Sequence, residues 1–220
     1  MSDDERLSLA LPCRFEGRVR YFLARMEFTL EDGDLLTDAG GRILSFASSN
    51  AALAEAARRF SEPAVMSPDA EELATIRRGL EEMYAPAVTM YELDRAAEWA
   101  RQPDGSRPDP TVLLEAWRLL AWVGVAPEPA RFDPMGFAGM QMSPSADATG
   151  RAYHALIETG MKLDGIVRER ERRRSRGEAL DEQWRDYDVM WTPADAERLA
   201  GILIAGLPSL AARLTDAREE

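Results

Sequence analysis

The sequence predicts an α+β fold, a small N-terminal antiparallel sheet packed on a larger helical body, and three features carry that expectation. Period-two alternation with turn chemistry is confined to the early part of the chain. Apolar stripes at helical spacing dominate the remainder, and the segment Val112–Val123 is apolar almost all round. The 220 residues are expected to form one domain, with a β-rich part over 14–62 and a mainly helical part over 63–220. A domain of this size buries roughly 70% of its unfolded surface and needs no disulfide or structural metal.

Each element has its own local reason. Phe22, Ala24, Met26, Phe28 and Leu30 alternate with Leu23, Arg25, Glu27, Thr29 and Glu31, the pattern of a half-buried strand that is polar on one side. Asp32-Gly33-Asp34 and Ala39-Gly40-Gly41-Arg42 are turn sequences, the second leading into Ile43–Phe46, so the region reads as an antiparallel meander. Ser49 or Asn50 caps an alanine-rich helix that runs to about Phe60. Ser67-Pro68-Asp69 opens another, striped by Leu73, Ile76, Leu80 and Met83 and ended by Pro86. Val88–Leu93 is a short strand, and a helix carrying Ala96, Ala97 and Trp99 follows it.

Asp109-Pro110 starts the most hydrophobic helix, in which only Glu115 and Arg118 are charged between Thr111 and Gly124. A helix with so little polar surface belongs at the centre of a core. Residues 125–148 break the pattern, because Pro127, Pro129, Pro134 and Pro144, with Gly136 and Gly139, oppose regular structure. A long helix from about Thr149 turns Tyr153, Leu156, Ile157, Met161 and Val167 inward and runs into the arginine-rich stretch Arg168–Arg176. Thr192-Pro193-Ala194-Asp195 caps the last helix, whose stripe is Leu199, Ile202, Leu203 and Leu207, with Pro208 bending it.

Charge and composition narrow the function classes. The net charge is −12, with a single cysteine (Cys13), a single histidine (His154) and a single lysine (Lys162). An acidic chain repels nucleic-acid phosphate, which argues against DNA, and steers a cationic partner inward. The lone Cys13 favours a reducing compartment. Met1-Ser2-Asp3-Asp4-Glu5 lacks the basic start of a secretory signal, and no apolar run reaches the ~20 residues that span a bilayer. The expectation is a cytoplasmic protein that does not enter membranes and uses no cofactor or metal. Asp32, Asp34 and Asp38 miss the register of a calcium loop, which needs a glycine at its sixth position and a glutamate at its twelfth.

Four constellations are candidates for function. His154 and Glu158 share one helical face, the arrangement of a general base and its orienting carboxylate. Asp181, Glu182, Asp186 and Asp188 are interleaved with Trp184, Tyr187 and Trp191. That pattern fits a carboxylate-pair site of glycosidase type, a protein contact with aromatic anchors, or a solvated connection whose tryptophans tie it to the core. The arginine run could bind phosphate or RNA, but Glu169 is spaced to pair with Arg172 and Arg173, and Glu171 with Arg168 and Arg174, which favours a solvated ionic face and leaves a local anionic contact as the alternative. Phe132, Met135, Phe137, Met140 and Met142 form an apolar loop, either a lid over the core or a second contact patch that would also serve a homo-oligomer.

Tyr91–Trp99, Leu113–Leu120 and the helix opened by Trp191-Thr192-Pro193 resemble stretches of a group of small, uncharacterised acidic proteins from high-GC bacteria. Arg118-Leu119-Leu120 stands where that group has Asn-Leu-Phe. The chain's size and acidity also resemble those of bacterial immunity proteins, which plug a toxin's active site. The resemblance implies a non-enzymatic, inhibitor-like module that docks on a basic protein partner. It supplies no catalytic residue. The contact residues expected from the sequence are Trp184, Asp186, Tyr187, Asp188 and Trp191, with Met135, Phe137, Met140 and Met142 as the second patch. The competing expectation is an enzyme that applies a carboxylate pair, or His154 with Glu158, to a small polar substrate.

Overall fold

The computed structural model describes residues 6–27, 33–60, 64–66, 90–103, 105–127, 129 and 148–217. The fold is α+β, with a mixed sheet that is mostly N-terminal and five α-helices among the described residues. The chain divides into two compact units, residues 1–94 with 210–220, and residues 95–209.

In the first unit, β1 (Arg6–Phe15) and β2 (Arg18–Glu27) form an antiparallel hairpin with Phe15 opposite Arg18. Its two-residue connection, Glu16-Gly17, has φ of +54° and +71°. Positive φ at both positions gives the turn a twist that suits a tight hairpin, and glycine makes the second one inexpensive. The Asp94 carboxylate accepts hydrogen bonds from both turn N–H groups, at 2.7 and 2.9 Å, which supplies the partners the ladder lacks there.

Strand β1 carries a period-two pattern, Leu7, Leu9, Leu11, Cys13 and Phe15 alternating with Ser8, Ala10, Pro12 and Arg14, although the β-rich part is expected only from residue 14. It lies between β2 on one side and the parallel strands β5 (Ala64–Met66) and β6 (Tyr91–Glu92) on the other. Ser8, Leu9, Ala10 and Leu11 are consecutively buried, so both faces of the strand are covered. The same holds at the centre of β2, where Phe22, Leu23 and Ala24 are all buried and the expected polar side is lost.

Strands β3 (Gly33–Leu35) and β4 (Ile43–Phe46) pair antiparallel with β2. Between them Asp38 caps a turn by accepting from the N–H groups of Gly40 and Arg42 at 2.8 and 2.9 Å. That is the ordinary turn role of aspartate. Helix α1 (Ser49–Arg59) begins at an N-cap one residue earlier than expected, where Ser48 Oγ accepts from the N–H of Ala51 at 3.2 Å. Its small residues Ala52 and Ala56 let it lie close against Ala10, Leu23, Leu44 and Phe46.

The sheet closes with a strand from the other end of the chain. β7 (Leu214–Asp216) runs parallel to β4, giving the order β5-β1-β2-β4-β7. Arg20 Nη1 lies 2.6 Å from Asp216 Oδ1 and 3.2 Å from the buried Ser45 Oγ, which itself donates to Asp216 at 2.8 Å. This polar knot fixes the register of a strand only three residues long.

The second unit is helical. α2 (Leu93–Arg101) enters it from β6, and Trp99 and Ala100 are buried. α3 (Pro110–Trp122) starts as the sequence demands: Asp109 caps it by accepting from the N–H of Thr111 at 3.0 Å, and proline occupies the first helical position. Leu113, Leu114, Trp117 and Leu120 are fully buried, so α3 is the core element expected of it. Gly124, at φ +68°, ends the helix by turning the chain so that the N–H groups of Val125 and Ala126 reach the Leu120 carbonyl. Trp117 Nε1 donates to the Pro127 carbonyl at 2.7 Å.

α4 (Ala148–Ser175) and α5 (Pro193–Arg213) complete the set, with Pro208 inside α5. At Gly206 a side chain would stand 2.7 Å from Leu120 Cδ1, so the absence of a Cβ is what lets α5 approach α3. Among the described residues no helix is long and apolar enough to cross a membrane. The helix expected at Ser67–Pro86 lies outside the described residues.

Candidate functional site

The segment between α4 and α5 carries most of the sequence-predicted site residues, and the fold sorts them into two groups. Trp184 and Trp191 are 0% and 2% exposed, and Tyr187 is buried with them. Their rings are inside the unit, with the two indoles 5.3 Å apart in a tilted pair. Trp184 Nε1 donates to the Pro108 carbonyl at 2.9 Å, and the Arg107 guanidinium lies over its ring at 5.2 Å. The aromatic side chains that sequence reasoning placed on a contact surface are therefore pegs that hold the segment down. Aromatics among acids and glycine read as a surface loop only as long as the helices that cover them are out of sight.

Backbone geometry shows how tightly the segment is tied. The Asp181 carboxylate accepts from the N–H groups of Gln183 and Arg185 at 2.9 and 2.8 Å, and these two bonds hold its pKa below the usual carboxylate range. Trp184 follows in the left-handed region at φ +46°, and Arg185–Tyr187 form one turn of 3-10 helix. A bulky residue at positive φ is costly and persists only where its surroundings over-determine it. Here the buried indole and its hydrogen bond do so.

Asp186 and Asp188 are also spoken for, each by a different arginine. Asp186 Oδ2 lies 2.8 Å from Arg173 Nη1, whose Nε meets Glu178 at 3.1 Å. Asp188 pairs with Arg107. Each of the two acids is neutralised by its own arginine, unlike the free pair of carboxyl groups that a glycosidase-type site uses. The arginine run supplies the clamp on Asp186 and stays largely solvent-exposed, as expected of it, but most of its pairings differ from those the spacing suggests. Glu169 and Arg172 make the expected pair, at 2.6 Å, but Arg168 turns to Asp164, Arg173 to Asp186 and Glu178, and Arg174 to Asp109. Arg170, buried, donates to the Asp181 carbonyl at 2.7 Å.

What the segment leaves outward is Val189, 95% exposed, and Met190, 45% exposed. The N–H groups of Met190 and Trp191 both reach the Tyr187 carbonyl, at 2.8 and 2.9 Å, so this apolar tip is held by backbone hydrogen bonds beside the half-exposed Asp186 and Asp188. Sequence reasoning named the aromatics and missed the tip. The signal available was two apolar residues directly before a tryptophan, which reads as core.

The other candidates are placed as follows. Glu158, the expected partner of His154, has its carboxylate 2.8 Å from Lys162 Nζ, one helical turn further along α4. Met135, Phe137, Met140 and Met142, with Phe132, lie outside the described residues. Among the described residues no three His, Cys, Asp or Glu side chains gather as a metal-binding group.

Two ionic networks went unanticipated. In one, Asp195 is fully buried and receives Thr192 N–H at 3.0 Å, Thr192 Oγ at 2.7 Å, Thr159 Oγ1 at 2.9 Å, Lys162 Nζ at 3.1 Å and Arg198 Nη1 at 2.9 Å. In the other, Arg118 bridges Glu115 and Asp164, each at 2.7 Å, and Asp164 also meets Arg168 at 2.7 Å.

Burial pushes the Glu115 carboxyl above its ordinary range, and the nearby Arg118 only partly opposes this while Glu171 and Asp164 add to it. The folded chain thus holds this proton more tightly than the unfolded chain. The resulting stabilisation is present below the unfolded pKa and fades as pH rises through the folded one. Replacing Glu115 with Gln fixes the neutral form. The variant is expected to gain Tm relative to wild type between pH 4 and pH 8 in thermal unfolding, and two parallel curves would refute the assignment.

Comparison of the chain with protein-family models, with curated proteins and with solved structures finds no significant match.

Proposed function

We propose that this chain is an acidic docking module without chemistry of its own, inhibitor-like in mode, whose partner is a cationic protein. The observation that carries the reading is the Val189-Met190 tip. An almost fully exposed apolar residue stands on a turn that three buried aromatics and several arginine clamps hold in place. Such a surface loses little conformational freedom on binding, which is the condition for affinity from a small contact. A net charge of −12 steers a basic partner and speeds its association. The size and acidity shared with immunity proteins point the same way. On this reading the contact set is Val189 and Met190 with Asp186 and Asp188 at their side, and Trp184, Tyr187 and Trp191 act by positioning them. The cytoplasm is the compartment that suits the lone, buried thiol of Cys13.

The test is capture from a lysate of the source cells with the wild-type chain and the Val189→Asp, Met190→Asp double variant. Both positions are exposed, so the variant is expected to keep its Tm, since surface changes of this kind fall within about ±0.5 kcal/mol. The reading expects a basic protein that the wild type retains at low salt, that is released at high salt, and that the double variant loses at least tenfold. A partner set that is identical for both chains, or that contains no basic protein, overturns it. Light scattering on both chains separates a second copy of this chain from a different partner.

A further inference from the structure

We draw no further inference here: the strongest candidate, the apolar groove between the turn after α3, α4 and α5, carries nothing, because Arg198 on its wall is balanced, together with Lys162, by Asp195 and Glu158, and nothing in the structure shows what covers it.

Discussion

Replacing Asp195 with Ala is expected to cost the fold about 3 kcal/mol at neutral pH, the range seen when one partner of a buried ionic cluster is removed. The carboxylate is fully buried and has five hydrogen-bonding contacts, from Thr192 twice and from Thr159, Lys162 and Arg198. Its loss removes the acceptor of the Thr192 N–H at the start of α5 and leaves Lys162 and Arg198 without their shared anion, while the Thr159 hydroxyl keeps the Ala155 carbonyl at 2.9 Å. Those two side chains are 23% and 35% exposed, so they recover some hydration, which keeps the expected loss toward the low end of that range.

The pH dependence carries the sign. Burial alone would raise the Asp195 pKa, but the hydrogen bonds from Thr192, Lys162 and Thr159 outweigh it and hold the group below its ordinary value. A depressed folded pKa gives stability that is present above the unfolded pKa and is lost as pH falls through the folded one. Denaturant unfolding of wild type and Asp195→Ala should therefore differ most near pH 7 and converge in acid, below the ordinary aspartate range. A difference that stays constant down to acid pH would mean that packing, not charge, is what the variant lost.

Trp184→Ala is expected to cost about 3–5 kcal/mol, the usual range for truncating a buried aromatic. The indole is fully buried, pairs with Trp191, and satisfies the Pro108 carbonyl at 2.9 Å. It also keeps its own residue in the left-handed region. Trp184→Phe retains most of the apolar area but leaves that carbonyl unpaired, so it should fall between wild type and Ala. Both variants should lose partner retention only as far as they lose the folded state. That separates them from the Val189→Asp, Met190→Asp chain, which should lose retention with its Tm unchanged. If Trp184→Ala were as stable as wild type by chemical denaturation, the tryptophan would be a surface residue and the first reading of the segment would return.

Much of the fold could be read locally because its determinants are local. Asp109-Pro110 announces the start of α3, Thr192-Pro193-Ala194-Asp195 that of α5, and Ser48 that of α1 within a residue. The turn before β4 could be read for the same reason, since Asp38 acts on N–H groups two and four residues ahead. The site was less legible. Trp184 as a peg depends on the Pro108 carbonyl, and Asp186 as a clamped acid depends on Arg173, neither of which sequence spacing could relate to it. Arginines whose spacing suggested pairs within their own helix turned instead to the 178–188 segment and to Asp109.

The sequence by itself determined the α+β class, the helix starts, the apolar character of α3 and the strongly acidic charge, because propensity, capping and composition act over a few residues or over the chain as a whole. Tertiary structure alone decided that β1 is an inner strand and that β7 returns to pair with β4. It also decided which aromatics are inside and where Asp195 finds its cations. Each of those outcomes rests on contacts between residues far apart in the chain, which propensity, capping and composition do not encode.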